Sequence, residues 1–383
     1  MGQLTGVLHA STGVTISAQR RFYQPELDGL RFYAFLGVFV CHTLPFEPAF
    51  YRGLHMPLPW LWGALSKSGA AGVDLFFALS AFLITSILLR EQQQTGGISL
   101  RCFYIRRILR IWPLYFLLIC LGVVLSHTMA HQSLPWYYVA GYLLFFGNWV
   151  HAVFGQPTSI CSPLWTVSIE EQFYLIWPVL MKLLGRRGMA VAGFGILVLA
   201  TVSRLGFMLA GWSGGFIYYG STCRCDSLAL GILLALFLDR LPRLARTTRW
   251  LLLAGGLTGW MVSSIWLNDQ PGPVDLRMVL GRLLVSLAAG AILYAGLNSR
   301  SRLLRGDWVL RLGKISYGLY MWHLTVILIL VSLLHPVWGW QLLATKLLAF
   351  GMTIVVALAS YRWVESPFLR IKDRFATVLS RPV

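Results

Sequence analysis

Apolar stretches of about 20 residues recur along most of this chain, and no other feature of the sequence constrains its fold as strongly. A stretch of that length matches the thickness of a bilayer that one helix can cross. Charged residues make up only 12% of the sequence, whereas a soluble domain carries about 25%. The sequence therefore predicts an all-α polytopic membrane protein, with no segment left over for a separate soluble domain.

The apolar stretches predict about ten transmembrane helices. Their approximate bounds are 28–45, 69–89, 108–126, 163–183, 189–210, 224–238, 250–267, 278–297, 312–333 and 341–361. A further apolar stretch, 136–150, is short for a span and contains Gly141, Gly147 and Asn148. We interpret it as a short re-entrant or interfacial segment.

The basic residues predict the orientation, because Lys and Arg concentrate on the cytoplasmic side of a membrane protein. With a cytoplasmic N-terminus and ten alternating spans, the cytoplasmic segments hold 24 of the 32 Lys and Arg residues. Counting 136–150 as an eleventh span would place the basic cluster 240–249 and the basic C-terminal tail outside. We therefore predict ten spans with both termini in the cytoplasm.

Composition also limits the domain organisation and the partners. We divide the chain into a polar cytoplasmic N-terminus (1–21), one membrane domain (22–370) and a basic cytoplasmic tail (371–383). No apolar stretch with a small-residue cleavage site precedes the first span, so we expect that span to remain as an anchor. The net charge of +18 follows the positive-inside pattern, and we predict no nucleic-acid partner. Cys223 and Cys225 are too close for a zinc-site spacing, and we predict no metal.

Arg31 and His42 lie on the same predicted span, eleven residues apart. At 1.5 Å per residue their side chains are about 16 Å apart along a helix axis. Burying both groups in a membrane costs several kcal/mol unless they are paired or used, so a functional role is the default interpretation. An imidazole is the usual general base at neutral pH, which predicts His42 as a base near the outer face. The alternative is a helix histidine bonded to a neighbour.

Three arginines begin the third span at its cytoplasmic end: Arg106, Arg107 and Arg110. Arg107 and Arg110 are three residues apart and share a helix face. Arginines bind phosphate oxygens bidentately, so this pair, with Arg31 just inside, predicts a phosphate-binding site. Ordinary positive-inside anchoring is the alternative.

Three acidic residues lie in or near predicted spans. Asp74 is at a depth similar to that of His42 and within plausible reach of it, although it could instead cap its own helix. Glu170 and Glu171 lie two turns inside an apolar helix, where adjacent side chains point about 100° apart. Either glutamate could act as a base or orient a histidine, or the pair could simply favour the helix start.

A second intramembrane histidine, His323, follows several aromatic residues in 315–323. We predict that an acceptor molecule binds to a set of residues from this stretch and from the fourth span, namely Tyr320, Trp322, His323 and Trp165. A hydrogen-bonded packing role for His323 is the alternative.

Taken in order, these motifs resemble those of the acyltransferase family 3 membrane proteins. The matching stretches are 28–31 (DGLR) with its spacing to His42, 72–77 (GVDLFF), the pair Arg107 and Arg110, 165–174 (WTVSIEEQFY), 315–323 (ISYGLYMWH) and 364–368 (VESPF). The resemblance covers roughly 22–370. Two positions depart from the family pattern, because Ala81 stands where Gly is usual and Thr166 replaces a frequent Ser. Neither departure touches the proposed chemistry.

The resemblance implies transfer of an acyl group, usually acetyl, from cytosolic acyl-CoA to a hydroxyl of a glycan or another acceptor. Arg31 and His42 match the family's essential pair, and Arg107 and Arg110 match its second arginine motif. The polyphosphate head would bind these arginines and the thioester would lie near His42. Asp74, Glu170 and Glu171 are candidates for orienting the imidazole. A covalent acyl-histidine route stays open.

The resemblance also implies acetyl-CoA as co-substrate, membrane lipid as surroundings and a bacterial plasma (inner) membrane location. We expect a lipid-linked or exported polysaccharide as acceptor, with polysaccharide-assembly proteins as candidate partners. A small hydroxylated metabolite such as a macrolide is an alternative acceptor. No hydrolase-like domain follows the last span, so we expect another protein to supply any second transfer step. A proton-coupled exporter that uses the same buried charges, and a purely structural scaffold, are alternatives from other classes.

Overall fold

The computed structural model describes residues 23–128, 134–266, 274–336, 339–376 and 378, and these residues form helices and no strands. The predicted N-terminal segment 1–21 lies outside these ranges. Residues 377 and 379–383 of the predicted tail also lie outside them. The ten longest helices are α1 Pro25–Thr43, α2 Gly72–Thr95, α3 Leu100–Thr128, α4 Leu164–Leu183, α5 Arg186–Leu209, α6 Ser221–Phe237, α7 Arg246–Trp266, α8 Leu276–Leu297, α9 Ser316–Leu334 and α10 Trp340–Ser360.

Short helical segments connect the long ones. They are the α-helices Pro48–Gly53, Pro59–Ser68, Trp136–Leu143, Gly147–Phe154, Gly214–Tyr219, Arg302–Arg305, Asp307–Lys314 and Ser366–Lys372, the 3-10 turns Gly69–Ala71, Leu238–Arg240 and Asp373–Phe375, and the π-helix Tyr361–Glu365. Each predicted span overlaps one long helix. Within the described ranges, seven helices are long and apolar enough to cross a membrane: Pro59–Thr95, Leu100–Thr128, Arg186–Leu209, Gly214–Arg240, Leu276–Leu297, Ser316–Leu334 and Trp340–Phe375.

The helices α1, α4 and α7 are not among those seven. Charged side chains within their length lower the hydropathy of α1 and α4, which carry Arg31 and the Glu170–Glu171 pair. The protein is thus an all-helical membrane protein, whereas the count of ten spans and the cytoplasmic placement of both termini stay predictions.

Two predicted segments differ from a simple span. The stretch 136–150 forms two helices of eight residues each, Trp136–Leu143 and Gly147–Phe154, joined by a turn in which Phe145 has a φ of 57°. Eight residues rise only about 12 Å, too little to cross a bilayer. The predicted span 312–333 is broken at Ile315 into Asp307–Lys314 and α9. The first of these two helices carries Asp307, Arg311 and Lys314 and is amphipathic, which explains why it does not continue the apolar one.

The core forms where α1, α2 and α6 pack against their neighbours. Helix α1 contacts α2, α9 and Asp307–Lys314, and α6 contacts α2, α5 and α8. Phe35, Phe77 and Phe82 are among the fully buried side chains. The peripheral helices instead expose large apolar residues, such as Phe194 on α5 and Leu347 on α10. Exposed apolar faces of this kind suit contact with lipid.

Gly313 permits a very close approach of Asp307–Lys314 to α1. A Cβ atom added to Gly313 would lie 2.1 Å from the carbonyl oxygen of Asp28. We expect Gly313→Ala to force the two helices apart and to lower the free energy of unfolding by about 1–3 kcal/mol. Thermal unfolding in detergent measures the effect.

Gly195 provides the control for this prediction, because a Cβ added there, in the middle of α5, meets no atom within 4 Å. Alanine also forms helix better than glycine by about 1 kcal/mol. Gly195→Ala should therefore unfold at the wild-type temperature or slightly above it. Equal unfolding temperatures for Gly313→Ala and the wild type would contradict the close approach.

Candidate functional site

Helix α1 carries Arg31 and His42 near its two ends. The helix is continuous from Pro25 to Thr43, so the eleven-residue spacing places both side chains on nearly the same face, about 16 Å apart along the axis. Asp28, one turn before Arg31, holds the guanidinium by a salt bridge of 3.2 Å. The hydroxyl of Tyr23 donates a hydrogen bond of 3.0 Å to the other oxygen of Asp28.

A cavity opens to solvent at the Arg31 end of α1; we call it the mouth cavity. Six basic side chains line it: Arg31, Arg106, Arg107, Arg110, Lys314 and Lys372. Its acidic lining residues are Asp28, Glu365 and Asp373. The excess of positive charge in a concave, partly buried site attracts an anionic ligand.

The three predicted arginines of α3 have different surroundings. Arg106 is buried and donates hydrogen bonds to Glu91 (3.1 Å) and to the carbonyl oxygen of Phe375 (2.7 Å). It therefore joins α3 to α2 and the C-terminal segment, and both contacts would have to break before it bound a ligand. The guanidinium of Arg107 lies between the rings of Phe103 and Tyr174, 5.6 and 5.7 Å from their centroids. Its Nε atom is buried without a hydrogen-bond partner among the described residues.

A second cavity adjoins the mouth cavity; we call it the inner cavity. The two share a ring of lining residues, which we call the neck: Arg31, Leu83, Arg107, Arg110 and Tyr317. Beyond the neck the walls are largely apolar, with Phe76, Ile84 and Val167 among them. The inner cavity extends to Thr166, near the start of α4, and to Tyr320 on α9. A ligand with a charged head and a thin arm fits this arrangement.

His42 is paired with His323, which lies 281 residues away in the chain. His42 Nδ1 and His323 Nε2 are 3.1 Å apart, and the two rings are stacked within 10°. His323 Nδ1 lies 2.5 Å from the carbonyl oxygen of Tyr320. Because a carbonyl oxygen only accepts, Nδ1 of neutral His323 carries the proton and Nε2 is left as an acceptor. Nδ1 of His42 therefore donates to His323, and His42 Nε2 keeps a free lone pair.

The hydrogen-bond chain gives His42 the tautomer that a general base needs. The Tyr320 carbonyl and His323 occupy the orienting role that a carboxylate fills in a Ser-His-Asp triad. His323 is fully buried, whereas the His42 side chain is exposed. This exposure is at the end of α1 that lies opposite Arg31 and the mouth cavity.

Tyr320 separates the inner cavity from the histidine pair. Its hydroxyl lies 2.9 Å from the hydroxyl of Thr166, and its ring centroid lies 5.5 Å from that of His323. The ring of Phe76 packs edge-on against Tyr320 at 5.6 Å. A ligand that filled the inner cavity would therefore end one aromatic ring away from His323.

The two glutamates of α4 point to different places, as expected for adjacent helix positions. Glu170 lines the inner cavity and accepts a hydrogen bond of 2.6 Å from Ser80. Glu171 accepts one of 3.2 Å from the indole of Trp112. Neither forms a hydrogen bond with His42, so the expectation that one of them orients this imidazole is corrected in favour of His323.

Asp74 also has other partners than the predicted His42. Its two oxygens accept hydrogen bonds of 3.1 Å from Arg224 and from Ser227, and all three residues are buried. Ser227 lies 2.8 Å from Ser286 of α8. The expected Asp74–His42 pair is therefore absent among the described contacts. Asp74 instead joins α2 to α6 and α8.

The four predicted acceptor-binding residues have separate locations. Tyr320 lines the inner cavity and His323 bonds His42. Trp165 is only 6% exposed and packs on Arg224, and its contact with an acceptor stays a prediction. Trp322 is half-buried, and its indole nitrogen has no hydrogen-bond partner among the described residues.

Sequence reasoning missed several lining residues of the two cavities. They are Ser80, Tyr174, Lys314, Tyr317, Glu365 and Lys372. Tyr174, Tyr317 and Glu365 lie within motifs noted above, and an unpaired acidic residue after an apolar helix was a usable signal for Glu365. The others carry no signal, because only the packing of distant helices brings them to the cavities.

Comparison with known proteins decides the family. A family model described as an acyltransferase domain matches residues 24–362. The chain belongs to this acyltransferase family. No solved structure matches the chain. Among the described residues, no group of three or more His, Cys, Asp or Glu is arranged to hold a metal ion.

Several members of the acyltransferase family are similar over most of this chain. The putative peptidoglycan O-acetyltransferase YrhL of Bacillus subtilis is 31% identical, and the match covers 91% of this chain and 55% of the relative. The peptidoglycan O-acetyltransferase OatA of Listeria monocytogenes is 28% identical, with 91% and 56% covered. A putative O-acetyltransferase of Staphylococcus aureus is also 28% identical, with 90% and 57% covered. The chain spans about half the length of the curated relatives it matches.

Proposed function

We propose that this protein transfers an acyl group, in the simplest case acetyl, from acyl-CoA to a hydroxyl of a saccharide, with His42 as general base. The observation that carries the proposal is that the basic mouth cavity and the inner cavity share the lining residues of the neck, and that Tyr320 of the inner cavity packs against the His42–His323 pair. Membership of the acyltransferase family supports the reaction class.

The two cavities support acyl-CoA as the donor. Its polyphosphate head carries several negative charges, and Arg107 and Arg110 lie where the mouth cavity meets the neck. Arginine binds phosphate oxygens bidentately. The pantetheine arm suits the inner cavity, whose walls beyond the neck are largely apolar, and would bring the thioester close to Tyr320.

The chemistry follows from the tautomer of His42. Nε2 takes the proton of the acceptor hydroxyl while its oxygen attacks the thioester carbonyl. The new C–O bond forms, the C–S bond breaks, and the protonated imidazole returns the proton to the CoA thiolate. Because Tyr320 lies between the inner cavity and His323, its ring must move for the thioester to reach His42. An acyl-histidine route, in which Nε2 itself attacks the carbonyl, uses the same lone pair.

We propose a glycan as the acceptor, in a lipid-linked or exported polysaccharide at the bacterial plasma membrane. Two relatives named for O-acetylation of peptidoglycan support a glycan of this type. The exposure of His42 at the end opposite the mouth cavity supports separate entry of donor and acceptor. Polysaccharide-assembly proteins are the partners that such a role needs, and a macrolide-like metabolite is the other acceptor to test.

The test uses purified protein in detergent. We expect it to bind desulfo-CoA, a donor analogue without the thioester, in isothermal titration calorimetry. We expect it to release thiol from acetyl-CoA when soluble peptidoglycan fragments are supplied. Turnover with a macrolide but not with the fragments would show that the acceptor is a small metabolite and not a glycan. No binding of desulfo-CoA and no thiol release with either acceptor would overturn the proposal.

Arg107→Ala is expected to raise the KM for acetyl-CoA by roughly tenfold or more, because a charge-assisted contact with phosphate is worth about 1.5–3 kcal/mol. The turnover number should change little, since Arg107 lies at the neck and not beside His42. Steady-state kinetics over a range of acetyl-CoA concentrations separate the two quantities.

Arg101→Ala is the matched control for Arg107→Ala. Arg101 lies on the same helix, is exposed and lines neither cavity. Its replacement should leave the KM unchanged. An equal rise for both variants would indicate a general effect of surface charge and not a phosphate site at the neck.

A further inference from the structure

The π-helix Tyr361–Glu365 follows α10 directly and ends at a buried acid. Glu365 is 7% exposed and lines the mouth cavity. A π-turn inside an α-helical segment frequently marks a functional position, because it displaces side chains from regular helix geometry. None of the roles assigned above uses Glu365.

One carboxylate oxygen of Glu365 has no hydrogen-bond partner. Its Oε1 atom is buried and unpaired among the residues that the structure describes. Other buried acids of this protein are held by arginines, as in the pairs Glu91–Arg106, Asp74–Arg224 and Asp226–Arg204. Leaving a buried polar atom without a partner costs about 1–3 kcal/mol, so this acceptor is available to a ligand that enters the cavity.

The Oε1 atom of Glu365 lies close to α9, the helix that carries the neck residue Tyr317. A Cβ atom added to Gly318 would lie 2.9 Å from this oxygen. Gly318 is next to Tyr317, which lines both cavities. Glu365 thus lines the mouth cavity with its unpaired oxygen beside Gly318, the residue that follows Tyr317 of the neck.

The carboxylate of Glu365 determines which group of a ligand can bind to it. A carboxylate oxygen repels phosphate and accepts from N–H or O–H donors. The neck arginines suit the phosphates of a donor, and the part that follows the phosphates through the neck is the pantetheine arm, which carries amide N–H groups. We propose that Glu365 is a donor-binding residue that accepts a hydrogen bond from an amide N–H of the pantetheine arm. This inference rests on the proposed function, because it requires acyl-CoA as the donor.

Two substrates distinguish an effect on binding of the pantetheine arm from an effect on binding of the nucleotide. S-acetyl-pantetheine contains the arm and lacks the nucleotide, whereas acetyl-CoA contains both. Glu365→Ala is expected to raise the KM for both substrates by the same factor, about tenfold or more, with little change in kcat. Glu365→Gln keeps an acceptor oxygen and should show a smaller rise. Asp307→Asn, a change at an exposed acid that lines neither cavity, is the control and should leave both KM values unchanged.

Gly318→Ala gives an independent test that keeps the carboxylate. The new methyl group would displace the flexible end of Glu365, so the KM for both substrates should rise in the same direction as in Glu365→Ala. This variant and Glu365→Gln carry the test if Glu365→Ala does not fold. Binding of desulfo-CoA by calorimetry should weaken in parallel with the rise in KM.

The outcomes distinguish this inference from the proposed function. A rise in KM for acetyl-CoA alone would overturn the role in binding the arm, because Glu365 would then act on the nucleotide or through Arg110. Unchanged KM values in all three variants would overturn it as well. A wild-type protein that neither binds desulfo-CoA nor turns over acetyl-CoA would remove the proposed function, and this inference with it.

Discussion

His42→Ala is expected to lower the turnover number by about 10²–10⁴, the contribution usual for a positioned general base. The KM for acetyl-CoA should stay close to the wild-type value, because His42 lines neither donor cavity. Thiol release at saturating acetyl-CoA, with the acceptor in excess, measures the change. The double variant His42→Ala/His323→Ala should be no slower than His42→Ala, since residues that act as a unit are not additive.

The control for this experiment is His127→Ala, at an exposed histidine in the last turn of α3. It should retain wild-type turnover. Full activity of His42→Ala would exclude both the general-base and the acyl-histidine routes. A large rise in KM with unchanged kcat would instead move His42 from the chemistry to substrate binding.

Asp74→Asn is expected to destabilise the protein by about 3–5 kcal/mol, because it leaves the buried Arg224 without its counter-charge. The Arg224 guanidinium is enclosed by the rings of Phe77, Trp165 and Tyr218 and is only 1% exposed. Water cannot readily replace the lost partner there. A decrease in the thermal unfolding temperature in detergent measures the effect.

Removing both charges separates a structural from a catalytic role for Asp74. Asp74→Asn/Arg224→Met should recover much of the lost stability, since no uncompensated charge remains. Asp275→Asn, at an exposed pair with Arg277, should change the stability by less than about 1 kcal/mol. If Asp74→Asn instead kept wild-type stability and lost turnover, Asp74 would belong to the chemistry and our placement of it would be wrong.

Sequence reasoning located the long helices because their signal is local. A run of apolar residues predicts a helix in lipid whatever it packs against, and each of the ten predicted spans overlaps a long helix. The arginines of the mouth cavity were also found locally, since Arg107 and Arg110 share one turn of α3. The break at Ile315 was missed because the apolar residues of Asp307–Lys314 continue into α9 with no Pro between them.

Pairing across the bundle could not be predicted in the same way. Asp74 and His42 lie at similar depths, but depth does not determine which helix a side chain faces. Asp74 pairs with Arg224, 150 residues away, and His42 pairs with His323, 281 residues away. The rotation of each helix about its own axis, which depends on packing, decided both pairs.

The sequence by itself determined the class of the protein, the location of its helices and the presence of Arg31 and His42 on one of them, because these properties depend on residues close together in the chain. Only the tertiary structure decided which buried groups meet. It paired His42 with His323, joined the two cavities at the neck and brought Glu365 of the π-helix Tyr361–Glu365 to the mouth cavity, beside Gly318. A bilayer favours apolar residues equally along every helix surface, so the contacts between helices, and not hydropathy, select these partners.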